Sequence, residues 1–440
     1  MSAVTNIYKE DVDFAALGRE DPDFGKLLDS NGQLDFSDPK SVQQLTKSLL
    51  KRDFGLKLKL PDDRLCPPVP NRLNYILWLQ DLIDTSSDTY TNSYSPDRQV
   101  HGLDIGTGAS CIYPLLGCAQ RPLWKFTGID IDDKSISFAR ENVQINGLQS
   151  RVQLIQTQPQ GPLIPLDEIG CYSLDFTLCN PPFYTSAEDL VSSASLKKRP
   201  PFTACTGSKT EMVCEGGEVS FVSRMIDESL KLRDRVQWYT SMLGKFSSLS
   251  KIIEQLKENQ VDNYAVTEFV QGSRTRRWAV AWSFGDRRPG MNVSRGCGSL
   301  QKSFLPFPAE QLFAVHAYNR AAIATSLHDT LSESMTLWTW DSKTFTGVGF
   351  CDHAVWSRKS RRSRQNAGSI SRASESHAHD KRSPNDMVFG FKISLQELEV
   401  DSQGTAVTVR WLKGRNHVLF ESLCGMIKRN LSRHTVAQSI

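Results

Sequence analysis

A strand-like apolar segment that ends in two prolines and an aromatic ring carries the most specific chemistry in the sequence. Residues 175–179 are followed by Asn180, Pro181, Pro182 and Phe183. The Asn180 side-chain carbonyl and the Pro181 backbone carbonyl can accept hydrogen bonds from the exocyclic amine of a nucleobase. These bonds favour a tetrahedral amine, whose lone pair can attack a methyl group. The prolines fix the backbone that carries the acceptors, and Phe183 offers a stacking face to a flipped-out base.

The motif alone does not identify the acceptor. Asn-Pro-Pro-aromatic sequences also serve guanine amines, DNA adenines and the side-chain amides of protein glutamines, and a proline turn after a strand is common in itself. Tyr184, the next residue, is a second candidate contact to the substrate. The motif therefore predicts methyl transfer to a planar amino group, and the choice of amine depends on the rest of the chain.

A glycine turn earlier in the chain predicts the methyl donor. Residues 103–110 place Asp104 at the end of a predicted strand, followed by Gly106 and Gly108. Glycines let the backbone approach a ligand closely. A dinucleotide site has a third glycine, which is absent here, and Pro114 interrupts the start of the next helix. A carboxylate beside the turn suits a cationic, phosphate-free ligand such as S-adenosylmethionine.

The second predicted strand ends in a cluster of acidic residues. Asp130 is the candidate acceptor for the two ribose hydroxyls of the cofactor. Asp132 or Asp133 is expected to cap the following helix. The alternative is that all three aspartates are helix caps.

Alternating strand and helix patterns define the fold class. Over residues 99–285 they predict a Rossmann-like class I methyltransferase domain with a doubly wound, mostly parallel α/β sheet. A helical extension precedes it over 1–98, with Asp38 and Pro39 starting one helix and Gly55 ending it. A linker is predicted over 286–302. A small C-terminal α+β region is predicted over 303–440, with a helix at 310–327 and a disordered basic tract at 357–385.

Composition excludes several classes of protein. The chain has 440 residues, a net charge of +3 and ten cysteines without a CxxC pair. Neither a disulfide framework nor a clustered zinc site is expected. No apolar run reaches the length of a membrane span, and the N-terminus lacks a signal pattern. We therefore expect a soluble intracellular protein without a metal, and the sequence leaves its oligomeric state open.

Beyond these motifs, the chain resembles the U6 small nuclear RNA adenine-N6 methyltransferase family (methyltransferase-like protein 16). It is similar, more distantly, to bacterial 23S ribosomal RNA adenine-N6 methyltransferases. The resemblance covers roughly residues 1–285, and the helical extension and the EGGE segment are specific to the family. The matching stretches are 8–24, 34–56, 69–83, 103–117, 179–184, 215–230, 238–245, 267–272 and 276–284.

The resemblance implies further site residues. Arg72 matches a position that contacts the cofactor carboxylate, and Gly106 and Asn180 match positions that contact the cofactor. Asp130 stands where the family usually has glutamate, so the charge is kept with a shorter reach. A short loop that gates the cofactor pocket in the family corresponds to residues 157–164, which lack its lysine and threonine.

Basic residues are the candidate RNA contacts. Lys197, Lys198 and Arg199 follow the acceptor motif, and the resemblance implies that this loop contacts RNA. The helical extension would form a groove for a structured hairpin like that of U6 small nuclear RNA. The C-terminal region faintly resembles the RNA-binding region of vertebrate members, with Lys413 among its basic residues. For any single lysine, a solvated surface position is the simpler interpretation.

Three functions follow from these features. The first is an S-adenosylmethionine-dependent RNA N6-adenosine methyltransferase, and the alternatives are a protein glutamine methyltransferase and a non-catalytic RNA-binding scaffold. The basic loop argues against a protein acceptor, and the intact motifs argue against a scaffold. The arginine-rich residues 358–364 predict a nuclear localisation signal or an RNA-contacting arm, and a solvated linker explains them nearly as well.

Overall fold

The chain is seen here in a computed structural model that describes most of its residues. The described ranges are 6–91, 93–186, 207–271, 275–316, 320–360, 362, 383–398 and 404–436. They fall into two compact units. Unit 1 comprises Met1–Asp84, Ser93–Gly285 and Val293–Pro306, and unit 2 comprises Thr85–Asn92, Asp286–Asn292 and Phe307–Ile440.

Unit 1 contains an eight-stranded sheet in the order β3-β2-β1-β4-β5-β7-β6-β8. Strands β1 to β5 pair in parallel, β7 runs antiparallel between β5 and β6, and β8 pairs in parallel with β6. The predicted doubly wound, mostly parallel sheet is confirmed. Its strands are β1 Val100–Ile105, β2 Trp124–Asp130, β3 Val152–Gln156, β4 Leu174–Cys179, β5 Val236–Leu243, β6 Asn263–Gln271, β7 Thr275–Ser283 and β8 Arg295–Gly296.

Helices precede this sheet in the chain and alternate with its strands. Those that begin in unit 1 are α1 Phe14–Glu20, α2 Pro22–Gly25, α3 Pro39–Phe54, α4 Val69–Thr85, α5 Ile112–Gln120, α6 Asp133–Ile145, α7 Lys209–Met212, α8 Gly217–Leu232 and α9 Phe246–Glu258. The short helix α10, Met291–Ser294, spans the boundary between the two units. None of the described helices is both long and apolar enough to cross a membrane.

Helix α3 shows how the sequence sets the helical extension. The Asp38 side chain accepts hydrogen bonds from the amides of Lys40 and Ser41, and Pro39 occupies the first turn. Gly55 ends the helix with a φ of 66°, a left-handed conformation that favours glycine. Start and stop were both predicted from the sequence.

Aromatic side chains fill both faces of the unit 1 sheet. Trp124, Phe126 and Phe176 pack on one face, and Tyr239 stacks on Trp282 on the other. Burial of apolar area contributes about 25 cal/mol per Å². This two-sided core fixes the carboxyl ends of β1, β2 and β4.

The described part of unit 2 contains a five-stranded antiparallel sheet and the helices α11 and α12. The strand order is β10-β11-β12-β13-β9. Its core includes Phe389, Phe391, Trp411 and Leu423, all at most 1% exposed. The elements are β9 Glu310–His316, α11 Arg320–Ser332, β10 Leu337–Asp341, β11 Thr346–Cys351, β12 Phe389–Glu397, β13 Gly404–Lys413 and α12 His417–Val436.

The C-terminal prediction was wrong in one element. Residues 310–316 form the edge strand β9, paired with β13, and not the first half of a helix. The apolar residues at 312, 313 and 315 fit both the helical repeat of 3.6 residues and the two-residue repeat of a strand. The segment forms a strand because it pairs with the otherwise unpaired edge of β13. Only the alanine-rich second half of the predicted helix is helical, as α11.

Two predicted boundaries also differ from the structure. Within the predicted linker 286–302, strand β8 joins the unit 1 sheet, and Val293 and Cys297 are buried. Residues 85–92, assigned to the helical extension, belong to unit 2. Most of the predicted basic tract 357–385 lies outside the described residues.

Candidate active site

A cleft of about 420 Å³ lies at the carboxyl ends of β1, β2 and β4. In a doubly wound sheet this edge is where ligands bind. The site residues predicted from sequence that line the cleft are Arg72, Gly106, Gly108, Asp130, Asn180, Pro181 and Pro182. Motifs distant in sequence therefore meet at one site.

The glycine turn after β1 forms the floor of this cleft. Gly106 and Gly108 have φ values of 73° and 64°, a conformation that costs other residues strain. The amides of Gly106 and Thr107 both donate to the Ile129 carbonyl, at 2.9 and 3.0 Å. These bonds join the turn to the end of β2.

Asp104 is a fully buried carboxyl group beside the turn. Thr107 Oγ1 donates to its Oδ2 at 2.7 Å, whereas Oδ1 has no hydrogen-bond partner among the described residues. Burial raises the pKa of Asp104 to about 7; the Thr107 hydrogen bond and Arg72 oppose this rise, and Asp130 adds to it. Asp104 does not itself line the cleft, so its charge would act on a cationic ligand such as S-adenosylmethionine from beside the glycine turn and not by direct contact.

Asp130 is tied to the same turn from β2. Its Oδ2 accepts from the Gly108 amide and its Oδ1 from the Asp132 amide, both at 2.9 Å. Burial raises the pKa of Asp130, and these amide bonds lower it. Asp132 caps α6 through the Ser135 amide, as predicted, and pairs with Arg64 at 2.9 Å.

Arg72 extends from α4 to the cleft. It is 6% exposed, and its guanidinium carbon lies 5.6 Å from the centroid of the Tyr113 ring. Its Nη1 lies 3.5 Å from Met242 Sδ. Within the described part of the chain, Arg72 makes no ion pair shorter than 4.0 Å, so its charge is available to an anionic ligand group.

The acceptor motif follows β4. Asn180 Oδ1 is buried and has no hydrogen-bond partner among the described residues. Phe183 is partly buried, and the guanidinium carbon of Arg277 lies 5.6 Å from its ring centroid. The backbone of Tyr184 is held by hydrogen bonds with Met212 and Cys214, both 3.0 Å long. Phe183 and Tyr184 adjoin the cleft-lining residues of the motif without lining the cleft themselves.

Two other predicted features have different outcomes. Lys197, Lys198 and Arg199 lie outside the described residues. The predicted gating loop, 157–164, contributes residues to the cleft wall. Its Leu163 and Ile164 amides donate to the Glu228 carboxylate at 3.0 and 2.9 Å. These bonds connect the loop to α8.

Two glutamates near the site were not predicted. Glu211 lines the cleft, accepts from the amides of Leu65 and Ser208, and lies 3.7 Å from a Cβ built on Gly108. Glu218 is 2% exposed and accepts two amides after β5. The residues next to each glutamate in the chain do not indicate these hydrogen bonds. Glu218 does lie in the EGGE segment, residues 215–218, which was recognised as specific to the family. Among the described residues, no group of three or more His, Cys, Asp or Glu side chains could hold a metal.

Comparison with known proteins finds relatives that are similar over most of the chain. A family described as RNA methyltransferase matches residues 3–286. The U6 small nuclear RNA (adenine-(43)-N(6))-methyltransferase of Schizosaccharomyces pombe is 33% identical over 91% of this chain and 96% of its own length. RNA N(6)-adenosine-methyltransferase METTL16 of Homo sapiens is 42% identical over 64% of this chain, and the match spans 50% of the human protein.

Solved structures also match this chain. The human METTL16 catalytic domain in complex with MAT2A 3'UTR hairpin 1 is 40% identical, with a TM-score of 0.56, over 64% of this chain and 94% of that domain. The N-terminal domain of human METTL16 in complex with SAH is 39% identical, with a TM-score of 0.53, over 64% and 98%. The family match over residues 3–286 contains every residue that lines the cleft.

Proposed function

This chain belongs to the RNA methyltransferase family, and we propose that it transfers the methyl group of S-adenosylmethionine to the N6 amine of an adenine in a structured RNA. The observation that carries this proposal is the buried Asn180 Oδ1, a hydrogen-bond acceptor without a partner among the described residues. An unsatisfied buried acceptor costs about 1–3 kcal/mol. A substrate amine that donates to this oxygen would recover that cost.

The cofactor supplies an electrophilic methyl group on a sulfonium centre. Arg72 suits its carboxylate, because a guanidinium matches that group with two parallel hydrogen bonds. Asp104, with its unpaired Oδ1, suits the positive charge, and Asp130 suits the ribose hydroxyls. The positive φ values of Gly106 and Gly108 hold the turn that approaches the cofactor.

The chain's own residues prepare the acceptor amine. Asn180 Oδ1 and the Pro181 carbonyl accept its two hydrogens and thereby direct its lone pair towards the methyl group. Pro181 and Pro182 restrict the backbone, so these acceptors need no reorganisation. Phe183 stacks on the base and, with Tyr184, orients it. Alignment of this kind is worth several kcal/mol without a strong base.

A U6-like hairpin is the substrate we propose. Relatives that align over most of this chain are named for U6 small nuclear RNA. In the helical extension, exposed Lys57 and Lys59 alternate with buried Leu56, Leu58 and Leu60. This alternation directs both lysines to one surface, where they would contact phosphates, although Lys59 Nζ also pairs with Glu141 at 3.2 Å. Lys197, Lys198 and Arg199 are proposed as further phosphate contacts from the sequence alone. The nuclear location stays a prediction.

The proposal is tested with purified protein, cofactor labelled on its methyl group, and two hairpins. One hairpin carries the U6 sequence, and its matched control replaces the target adenine by inosine, which lacks the amine. We expect label in N6-methyladenosine after digestion of the first hairpin, and none from the control. Equal labelling of both hairpins would overturn the assignment of adenine in RNA. So would a reaction with a protein extract added in which only the proteins of that extract are labelled.

A further inference from the structure

The ring of Phe183 is packed against Gly244. A Cβ built on Gly244 would lie 2.7 Å from Cδ1 and 3.0 Å from Cε1 of that ring. Carbon atoms in van der Waals contact lie about 3.5–4.0 Å apart, so no side chain fits there. Gly244 is not among the glycines with a positive φ, and its backbone would therefore accept another residue. The same Cβ would lie 3.2 Å from Glu218 Oε2, so the ring and this carboxylate, and not the backbone conformation, require a glycine here.

Gly244 is itself fixed by a buried carboxylate. The Gly244 amide donates to Glu218 Oε2 at 2.6 Å, and the Lys245 amide donates to Oε1 at 3.0 Å. Glu218 is 2% exposed. Because each oxygen accepts one amide, rotating the carboxylate would break both hydrogen bonds. Glu218 thus anchors the turn after β5 to the first turn of α8.

The start of α8 also approaches the acceptor motif directly. A Cβ built on Gly217 would lie 3.5 Å from the Phe183 carbonyl oxygen and 3.1 Å from Thr185 Cγ2. The backbone and the ring of Phe183 are therefore held by one connected group, which consists of the α8 start and the turn at Gly244.

We propose that Glu218 and Gly244 are positioning residues for methyl transfer, which set the orientation of the Phe183 ring and hence of the base stacked on it. This inference rests on the proposed function, because it concerns the base that Phe183 holds. Neither residue touches the reacting atoms; both act through the ring. A displacement of about 1 Å at such a platform can lower the rate of transfer up to about 10²-fold.

The sharpest test is a double-mutant cycle on kcat. Gly244→Ala should lower kcat about 10- to 100-fold by displacing the ring, with little change in cofactor affinity or in KM for the hairpin. Phe183→Leu removes the ring, so adding Gly244→Ala to that variant should cause little further loss. Multiplicative effects of the two substitutions would overturn the inference, because independent sites are additive in free energy.

A fluorine label on phenylalanine gives a readout that does not depend on activity. The Phe183 resonance is assigned by its loss in Phe183→Leu. The chemical shift of this resonance should change in Gly244→Ala. It should also change in Glu218→Gln, because the glutamine amide nitrogen would face a backbone N–H and one of the two hydrogen bonds would be lost. It should stay in place in Gly298→Ala, the matched control, where a Cβ would lie 3.9 Å from Glu268 Oε1. An unmoved resonance in Gly244→Ala would overturn the inference.

The two proposals fail in different ways. A wild-type chain that leaves RNA adenine unmethylated overturns the proposed function, whatever the fluorine spectrum shows. An active wild type whose kcat is unaffected by Gly244→Ala overturns only the positioning role.

Discussion

The two halves of the cleft differ in whether the side chains that serve the ligand are themselves hydrogen-bonded. In the cofactor half, at the ends of β1 and β2, hydrogen bonds fix the charged groups: Asp130 accepts two amides and Asp104 accepts the Thr107 hydroxyl. In the acceptor half, after β4, packing against Gly244 holds Phe183, and Asn180 Oδ1 accepts no hydrogen bond from a described residue.

This difference follows from what each half must bind. The cofactor arrives with the same carboxylate, ribose hydroxyls and sulfonium charge in every turnover, and only the sulfonium charge is lost on transfer, so a network built in advance can match its groups. The substrate base arrives attached to an RNA and leaves after modification, so its acceptor must be free between turnovers. Substitutions in the cofactor half should therefore affect binding, whereas substitutions in the acceptor half should affect the chemical step.

The largest effect is expected from Asn180→Ala. Loss of the side-chain carbonyl removes one of the two acceptors that prepare the amine, and single-turnover transfer should fall about 10²- to 10³-fold, as for other preorganised hydrogen-bonding groups. Hairpin affinity, measured by filter binding, should change little. Asn259→Ala, at an exposed helix end, is the control. Near-normal transfer by Asn180→Ala would show that Asn180 does not hold the amine.

A smaller effect, on binding alone, is expected from Arg72→Lys. A lysine keeps the charge but loses the paired hydrogen bonds to a carboxylate, so the Kd for the cofactor should rise about 10-fold, equivalent to about 1.4 kcal/mol. Calorimetric titration measures this change, and kcat at saturating cofactor should stay within a few-fold of wild type. Arg140→Lys makes the same exchange at an exposed position of α6. A fall in kcat at unchanged Kd would place Arg72 in the acceptor half.

The sequence predicted those parts of the molecule that have local signatures. Asp38, Pro39 and Gly55 bound α3 as expected, and the strand that carries Asp104 and the strand that directly precedes Asn180 were placed correctly. Caps, alternation and glycine turns depend on residues close together in the chain, so a single sequence contains them.

Features that depend on distant partners were missed. Glu218 and Gly244 meet across 26 residues, and the close contact between Gly244 and Phe183 has no pattern in either segment. Lys413, one of the basic residues considered for RNA contact, is 5% exposed and donates to the carbonyls of Pro384 and Asn385. Its burial depends on the packing of unit 2, which composition does not reveal.

An effect on stability, no larger in free energy than that of Arg72→Lys on binding, is expected from the titration of Asp104. Burial raises the pKa of this carboxyl group to about 7, whereas in the unfolded chain it is about 3.9. The folded state therefore binds the proton more tightly, and the free energy of unfolding falls as pH rises through this interval. Between pH 6 and 8 the loss should be about 1.4 kcal/mol, since the folded state releases this proton around pH 7 while the unfolded state is already ionised.

Urea denaturation at pH 6 and pH 8 measures this loss, and Asp104→Asn should remove it. Asn180→Ala should retain it, because that substitution changes the acceptor half and leaves the buried carboxyl group in place. Saturating cofactor should reduce it, because a positive charge beside Asp104 favours the ionised form and opposes the effect of burial. If Asp104→Asn keeps the full pH dependence, the carboxyl group is already ionised at pH 6. Saturating cofactor would then leave the pH dependence between pH 6 and 8 unchanged, because no proton remains on Asp104 for its positive charge to displace.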